Sequence, residues 1–281
     1  MSRYTEHTMI HTWQITSKQT KQIEHPRHAS LDEITRQLPD GFYSTFRTYG
    51  QGTRVIGLKA HLQRLYQPVK SPDASEETLR EKLRLLLKDY PNEARVRVVM
   101  TTSGQLYLAM EALKRLPREI YENGVRVETV EMARNTPRLK STAFISASQD
   151  ERKHIARQGI FEALMVKNGR ISEGMTSNFF YVAQVGNLRY IGTTQRGILL
   201  GVTRRAVIRV ARGIGLDVRY QPLKRDQLEV AREAFITSSS RGIVPVIRID
   251  EVTVGEGMVG AVTRQLAAAY EAYVLEKAEK L

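Results

Sequence analysis

Residues 159–182 read GIFEALMVKNGRISEGMTSNFFYV. Apolar residues over 163–167 predict a strand, Asn168-Gly169 a two-residue turn, and Arg170 the opening of a second strand. Asn-Gly between alternating apolar runs is the strongest short hairpin signal, because both turn positions favour positive φ. The second strand is then interrupted. Glu173, Gly174, Met175, Thr176, Ser177 and Asn178 put a carboxylate, a glycine and small polar groups where a core strand wants apolar ones. Phe179, Phe180, Tyr181 and Val182 restore strand character. A polar cluster in an apolar frame breaks the local pattern in the way functional sites do.

The rest of the chain sets bounds on what that cluster serves. Its 281 residues suffice for one large or two modest domains with a substantial core. No apolar run approaches the ~20 residues that cross a bilayer. The N-terminal stretch carries neither an apolar signal region nor a small-residue cleavage pattern, so a cytoplasmic protein with no membrane partner is expected. The absence of cysteine excludes disulfides, thiolate catalysis and cysteine-ligated metal centres. The formal charge of +13 raises nucleic acid as a partner, but the basic residues are scattered, with Arg204-Arg205 and Lys224-Arg225 the densest clusters. Without a Lys/Arg run, zinc-finger spacing or an RNA-binding aromatic strand, a dispersed basic surface is the preferred reading. Attraction of anionic metabolites or of a phosphate-bearing cofactor is the second.

Working outward, the pattern is α+β. Residues 8–16 alternate weakly as a first strand, and the polar run 18–30 reads as a turn. Ser30 and Glu33 form a capping-box pattern ahead of a short helix that Pro39-Asp40-Gly41 ends. Strands are expected over 42–49 and 54–58, a helix opening at His61, and another from Ser75 with an apolar stripe of Leu79, Leu83, Leu86 and Leu87. A hairpin is expected over 95–101 and 105–110, with Arg95 and Arg97 on one face and Val96 and Val98 on the other. Residues 113–119, with Pro117, are the best linker, giving a small α+β domain over 1–115 and a larger domain over 116–281. The larger one holds a strand over 125–130, helices at 146–158, 203–214, 223–234 and 259–278, and a strand over 243–249.

Several residues outside the hairpin carry chemistry. Gly201-Val202-Thr203 sits at a helix N-terminus, where free amides and the helix dipole favour an anion. The run Thr237, Ser238, Ser239, Ser240 offers hydroxyls and successive N–H groups. Arg64 offers a cation. Each also has an ordinary reading: Thr203 as an N-cap, the serine run as a solvated turn, Arg64 as a surface charge. Lys140 reads as a solvated cation unless burial or a neighbouring cation such as Arg138 makes its amine neutral and nucleophilic. Glu173, inside a core strand, wants a cationic partner, and a protonated heterocycle nitrogen would serve.

Taken together these segments resemble the class IV aminotransferases, the fold type IV pyridoxal-phosphate enzymes. That group includes branched-chain and D-amino-acid aminotransferases and aminodeoxychorismate lyase. Glu173-Gly174-x-Thr176-Ser177-Asn178-x-Phe180 resembles the family pattern EGxxSNxF and lies 33 residues beyond Lys140, close to the family spacing. His61-Leu62-x-Arg64-Leu65 resembles HLxRL, and Gly201-Val202-Thr203-Arg204 resembles the GITR loop. Residues 234–239 with Pro245-Val246 and Ile249-Asp250 resemble the FxTxT…PV…xD segment.

The resemblance implies a two-domain fold type IV enzyme using pyridoxal 5′-phosphate, no metal, and a homodimer. It implies Lys140 as the lysine that bonds the cofactor aldehyde and shuttles the proton. Glu173 would meet the pyridine nitrogen, and Arg64, Val202, Thr203, Ser238 and Ser239 would bind phosphate. Ala143 and Ile145 stand where many members have an asparagine and some a tyrosine, so the tyrosine that meets the cofactor O3′ in the branched-chain enzymes is absent there, and Asn178 or another group would replace it. Arg97 matches an arginine of branched-chain enzymes that accept glutamate. Arg97 and Arg95 are therefore substrate candidates, with a solvent-facing sheet edge as the competing reading. Tyr43, Ser239 and Ser240 are further substrate candidates, and Arg47 shares the strand of Tyr43. The implied activity is transfer of an amino group from a small amino acid, of branched-chain or D-amino-acid type, to a 2-oxo acid such as 2-oxoglutarate. A lyase releasing pyruvate and a binding protein without turnover are the rivals.

Overall fold

The computed structural model describes residues 10–26, 29–88, 90 and 92–281. Residues 8 and 9 of the first expected strand, and the opening of the N-terminal stretch read for a signal region, lie outside the described residues. The chain divides into two compact units. Of the described residues, the first takes those up to Lys114, Leu139–Ser146 and Lys277–Leu281; the second takes Arg115–Arg138 and Ala147–Glu276. A single cut at 115/116 does not contain the return of Leu139–Ser146, the segment that carries Lys140, to the first unit.

In chain order the elements begin with β1 (His11–Ile15), β2 (Thr20–Ile23), α1 (Leu31–Gln37), β3 (Gly41–Tyr49), β4 (Arg54–Val55) and α2 (Leu58–Tyr66). Then come α3 (Glu76–Lys88), β5 (Ala94–Thr101), β6 (Leu106–Ala112), α4 (Arg118–Asn123), β7 (Val125–Glu131), α5 (Ala143–Ala147) and α6 (Gln149–Arg157). The chain continues with β8 (Glu162–Lys167), β9 (Arg170–Gly174), β10 (Asn178–Val185), β11 (Leu188–Thr193), α7 (Val202–Gly213) and β12 (Asp217–Arg219). After a 3-10 turn (Arg225–Val230) come β13 (Glu233–Ser238), β14 (Gly242–Ile249), β15 (Val252–Thr253), α8 (Ala261–Lys277) and β16 (Glu279–Lys280).

The first unit is a seven-stranded antiparallel sheet in the order β16-β4-β3-β5-β6-β1-β2. Period-two alternation turns Phe46, Val96, Val98, Met100, Leu106, Leu108 and Met110 into one core. On it lie Leu58, Leu62 and Leu65 of α2 and Leu79, Leu83 and Leu87 of α3, the i, i+4 stripes that helical period demands. Each such side chain contributes about 1.5–3 kcal/mol when fully buried. The capping box of α1 is present, with Glu33 N–H donating to Ser30 Oγ at 3.2 Å and Ser30 N–H to Glu33 Oε2 at 2.7 Å. Two expectations fail. The polar run after β1 contains β2, whose Lys21 and Gln22 are exposed because the strand is the sheet's outer edge. The strand at 54–58 stops at Val55, because Gly57 takes a left-handed φ of 63° and starts α2 three residues ahead of His61.

The second unit has a nine-stranded mixed sheet in the order β12-β11-β10-β13-β14-β7-β8-β9, with β15 beside β14. Strand β7 runs parallel to both β8 and β14. The hairpin forms as read: β8 and β9 pair around Asn168 and Gly169, both at positive φ. Beyond it the polar cluster is not a defect in one strand, for β9 ends at Gly174 on one sheet edge while β10 begins at Asn178 between β11 and β13. Residues 175–177 are the crossing between them. Helix α7 starts at Val202 with Gly201 as its N-cap, so Thr203 is not the cap. The expected helix at 223–234 is reduced to the 3-10 turn, and β13 starts at Glu233; Ala234 to Thr237 are all buried and so lack alternation. Strands β11 and β12 have no counterpart among the elements expected from the sequence.

Candidate active site

In the second unit the end of β9 and the start of β10, on either side of the crossing, build a buried carboxylate site. Glu173 is 1% exposed. Its Oε1 accepts from Arg134 Nε at 2.9 Å, its Oε2 accepts from Asn178 Nδ2 at 3.1 Å, and the Leu199 N–H points at both oxygens at 3.1 and 3.2 Å. Arg134 is itself buried and also donates to the Met175 carbonyl at 2.8 Å, tying the guanidinium to the crossing. Within the fold, Glu173 thus has a guanidinium as a cationic partner. Asn178 spends its second N–H on the Leu199 carbonyl at 2.8 Å, so it has none left for a further acceptor. Its Oδ1 lies against Gly201, where a Cβ would stand 2.2 Å from it, and this close approach requires glycine.

Beside this, α7 begins with uncapped amides. Gly201 provides no side-chain cap, and Thr203 Oγ1 donates to Ser239 Oγ at 3.2 Å, joining the helix start to the turn after β13. Ser238 Oγ accepts from Arg241 Nε at 3.0 Å, and Arg241 Nη2 donates to Glu162 Oε2 at 3.1 Å. Ser240 is next in the turn, half-buried. The Thr237 hydroxyl, 2% exposed, makes no hydrogen bond among the described residues, and Thr237 is the cross-strand partner of Asn178. Further along α7, Arg204 is buried and donates to the Thr194 carbonyl at 2.8 Å. Burial holds its guanidinium below the usual arginine range; Arg138 adds to this, while Tyr220 and Glu173 oppose it.

The first unit holds the remaining candidates. Lys140 lies at the end of β3: Tyr43 N–H donates to the Lys140 carbonyl at 2.9 Å, and Thr142 N–H to the Gly41 carbonyl at 2.9 Å. A Cβ on Gly41 would stand 2.2 Å from the Met100 carbonyl oxygen, so glycine lets the sheet close at this point. Lys140 Nζ stands 4.8 Å from the centroid of the Tyr43 ring, and the Arg97 guanidinium stands 4.8 Å from the same centroid. Ile145, at the position read for a tyrosine, is fully buried against Tyr43, Val99 and Tyr107.

Arg97 is not on a sheet edge. It is 4% exposed on β5, which lies between β3 and β6, and it donates to Asp32 Oδ1 at 2.6 Å and to the hydroxyls of Thr45 and Thr35, each at 3.0 Å. Arg95 shares its face but pairs with Glu111 at 2.9 Å and is more exposed. Arg64 donates from Nη2 to Ser44 Oγ at 2.8 Å, and the same oxygen lies 2.8 Å from Nδ1 of the buried His61.

Within each unit, then, the structure gathers part of the expected set: Glu173 with Asn178, and Val202 and Thr203 with Ser239, in one; Lys140, Tyr43 and Arg97 in the other. Arg95 stands apart. Sequence reasoning misses Arg134, Leu199, Ser44 and Asp32. Each meets its partner across many residues of chain, and among them only Arg134 answers a stated need, the cation that a buried Glu173 calls for.

The arrangement is that of the fold type IV enzymes. Residues 41–249 match the class IV amino-transferases. A protein of Methanocaldococcus jannaschii assigned as a branched-chain-amino-acid aminotransferase is 31% identical over 248 residues, 81% of this chain and 84% of that one. The crystal structure of the Escherichia coli branched-chain amino acid aminotransferase superposes with a TM-score of 0.74 at 25% identity, covering 86% of this chain and 87% of that one. D-alanine aminotransferase of Bacillus licheniformis is 32% identical over a shorter stretch of 120 residues, 43% of this chain and 42% of that one. The chain belongs to the class IV aminotransferases, a class of pyridoxal-phosphate-dependent enzymes. Among the described residues no helix is long and apolar enough to cross a membrane.

Proposed function

We propose that this chain is an aminotransferase of the branched-chain type, moving the amino group of a small apolar amino acid to a 2-oxo acid such as 2-oxoglutarate. Support for the branched-chain type comes from the relatives that match over most of their length, which carry that name. The observation that carries the reading is the buried Glu173 carboxylate, held on both oxygens by Arg134, Asn178 and the Leu199 amide.

The residues present fit pyridoxal 5′-phosphate. A fixed buried carboxylate suits a protonated ring nitrogen. In the second unit the uncapped amides of Val202 and Thr203, the hydroxyls of Thr203, Ser238 and Ser239, and the Thr237 hydroxyl, which makes no hydrogen bond among the described residues, suit a phosphate dianion, and the Arg64 guanidinium is likewise assigned to phosphate. When bound, the cofactor supplies an aldehyde for the amino group and a ring that takes up the electron pair left at the substrate Cα. Glu173, locked in orientation, would keep the ring nitrogen protonated. Asn178 acts through Glu173 by fixing its second oxygen. Lys140 would carry the covalent attachment to the cofactor aldehyde and would move a proton off the substrate Cα as a general base. Tyr43, Arg97, Arg95 and the Ser239–Ser240 turn are assigned to substrate. We place the working enzyme in the cytoplasm as a homodimer, which light scattering on the purified protein checks.

Borohydride reduction of the cofactor-loaded protein followed by peptide mapping tests the assignment: the label belongs on Lys140, and a label on any other lysine overturns it.

A further inference from the structure

Resting on the reading that Ser238 binds the cofactor phosphate, we propose that Arg241 is the positioning residue of that serine, orienting its hydroxyl as a donor and tying its turn to the crossing after Glu173. Ser238 and Gly242 form the last pair of β13 with β14, so Ser239, Ser240 and Arg241 make the turn. Arg241 reaches back across it. Its Nε donates to Ser238 Oγ at 3.0 Å, while Nη2 donates to Glu162 Oε2 at 3.1 Å and to Thr176 Oγ1 at 2.6 Å. Thr176 closes the set by donating to Glu162 Oε2 at 2.6 Å. The arginine is held elsewhere too: the Tyr121 hydroxyl donates to the Arg241 carbonyl at 2.9 Å, and the guanidinium stands 5.3 Å from the Phe161 ring centroid.

These contacts assign Arg241 orientation and not attraction. The Glu162 side chain is buried and places one negative charge against the guanidinium, so the pair brings no net charge to the turn. What Arg241 gives Ser238 is a donor. A phosphate dianion only accepts hydrogen bonds, so a serine that meets it must donate. With Ser238 Oγ accepting from Arg241, its own O–H is turned away from the guanidinium and left to donate. The task needs a planar fork, because Nε serves Ser238 while Nη2 serves Glu162 and Thr176. A lysine ammonium, one point charge on a flexible stem, keeps the cation beside Glu162 without holding both ends. Charge and orientation are therefore separable by one substitution.

Titration of pyridoxal 5′-phosphate, and of pyridoxal, which lacks the phosphate, into cofactor-stripped full-length wild type, S238A, R241K and S238A/R241K tests this by the ratio of the two dissociation constants. S238A is expected to lose about tenfold in preference for the phosphorylated form, the worth of a hydrogen bond to a charged group. R241K is expected to lose a similar factor, with pyridoxal binding and urea midpoint close to wild type. The double variant is expected to lose no more than S238A alone, because both substitutions act through one hydroxyl. An unchanged ratio in R241K, equal weakening of both ligands, or additive losses in the double variant overturns the proposal, while the loss in S238A leaves the phosphate reading standing. An unchanged ratio in S238A is the separate failure of the phosphate reading, and the proposal falls with it. Should R241K not fold, R241M/E162Q, which strands no buried charge, takes its place with the same expectation.

Discussion

Arg134 Nε donates to Glu173 Oε1 at 2.9 Å, and the two side chains are 4% and 2% exposed. The pair comes from opposite sides of Lys140 in sequence, so neither partner is near the other until the second unit has folded. A carboxylate buried this deeply stays ionised only with a positive partner and full hydrogen bonding. Here Arg134, Asn178 and the Leu199 amide provide both.

The first prediction concerns that pair. R134M leaves a buried carboxylate without its cation and should cost about 3–5 kcal/mol of stability. R134M/E173Q should recover part of that loss, because a neutral amide replaces the stranded charge. Urea unfolding of both variants and wild type checks it; equal stability of R134M and wild type would mean the pair contributes nothing.

The Ser44 hydroxyl makes a second case. It receives Arg64 Nη2 at 2.8 Å and touches His61 Nδ1 at 2.8 Å, so it holds the guanidinium proposed for phosphate. S44A removes that acceptor and should cost about 1–3 kcal/mol at the Arg64 end. The expected readout is a cofactor dissociation constant raised about tenfold, with kcat at saturating cofactor little altered. Fluorescence titration of cofactor measures it, and an unchanged constant would remove Ser44 from the account.

Gly201 gives a third. A methyl group there would stand 2.2 Å from Asn178 Oδ1, so G201A must push Asn178 away and with it a donor to Glu173. Overpacking of this kind costs about 1–3 kcal/mol. Thermal unfolding should fall, and N178A should blunt the effect because the group that clashes is gone. Additive losses in the double variant would contradict this coupling.

How much of this the chain announces depends on range. The Asn168-Gly169 hairpin, the Ser30–Glu33 capping box and the leucine stripe of α3 are local, and local pattern is enough to read them. The short strands β2 and β12 carry no such signal, since an exposed edge or a three-residue pairing leaves little periodicity. The start of buried β13 reads as helix because a strand covered on both faces loses its alternation. At the site, Glu173 and Lys140 stand out by motif and spacing. Their supports do not, because Arg134 with Glu173, Ser44 with Arg64 and Asp32 with Arg97 are contacts between distant segments that periodicity cannot report.

The central claim is amino transfer from a branched-chain amino acid with Lys140 moving the proton. Its most direct measurement mixes cofactor-loaded protein with L-leucine in the absence of acceptor and quantifies both products of the single turnover. Wild type is predicted to release 4-methyl-2-oxopentanoate and retain the aminated cofactor in equal amounts, and K140A to release none. No oxo acid from the wild type, or equal release from K140A, would contradict it, as would pyruvate from aminodeoxychorismate as the only product the protein forms.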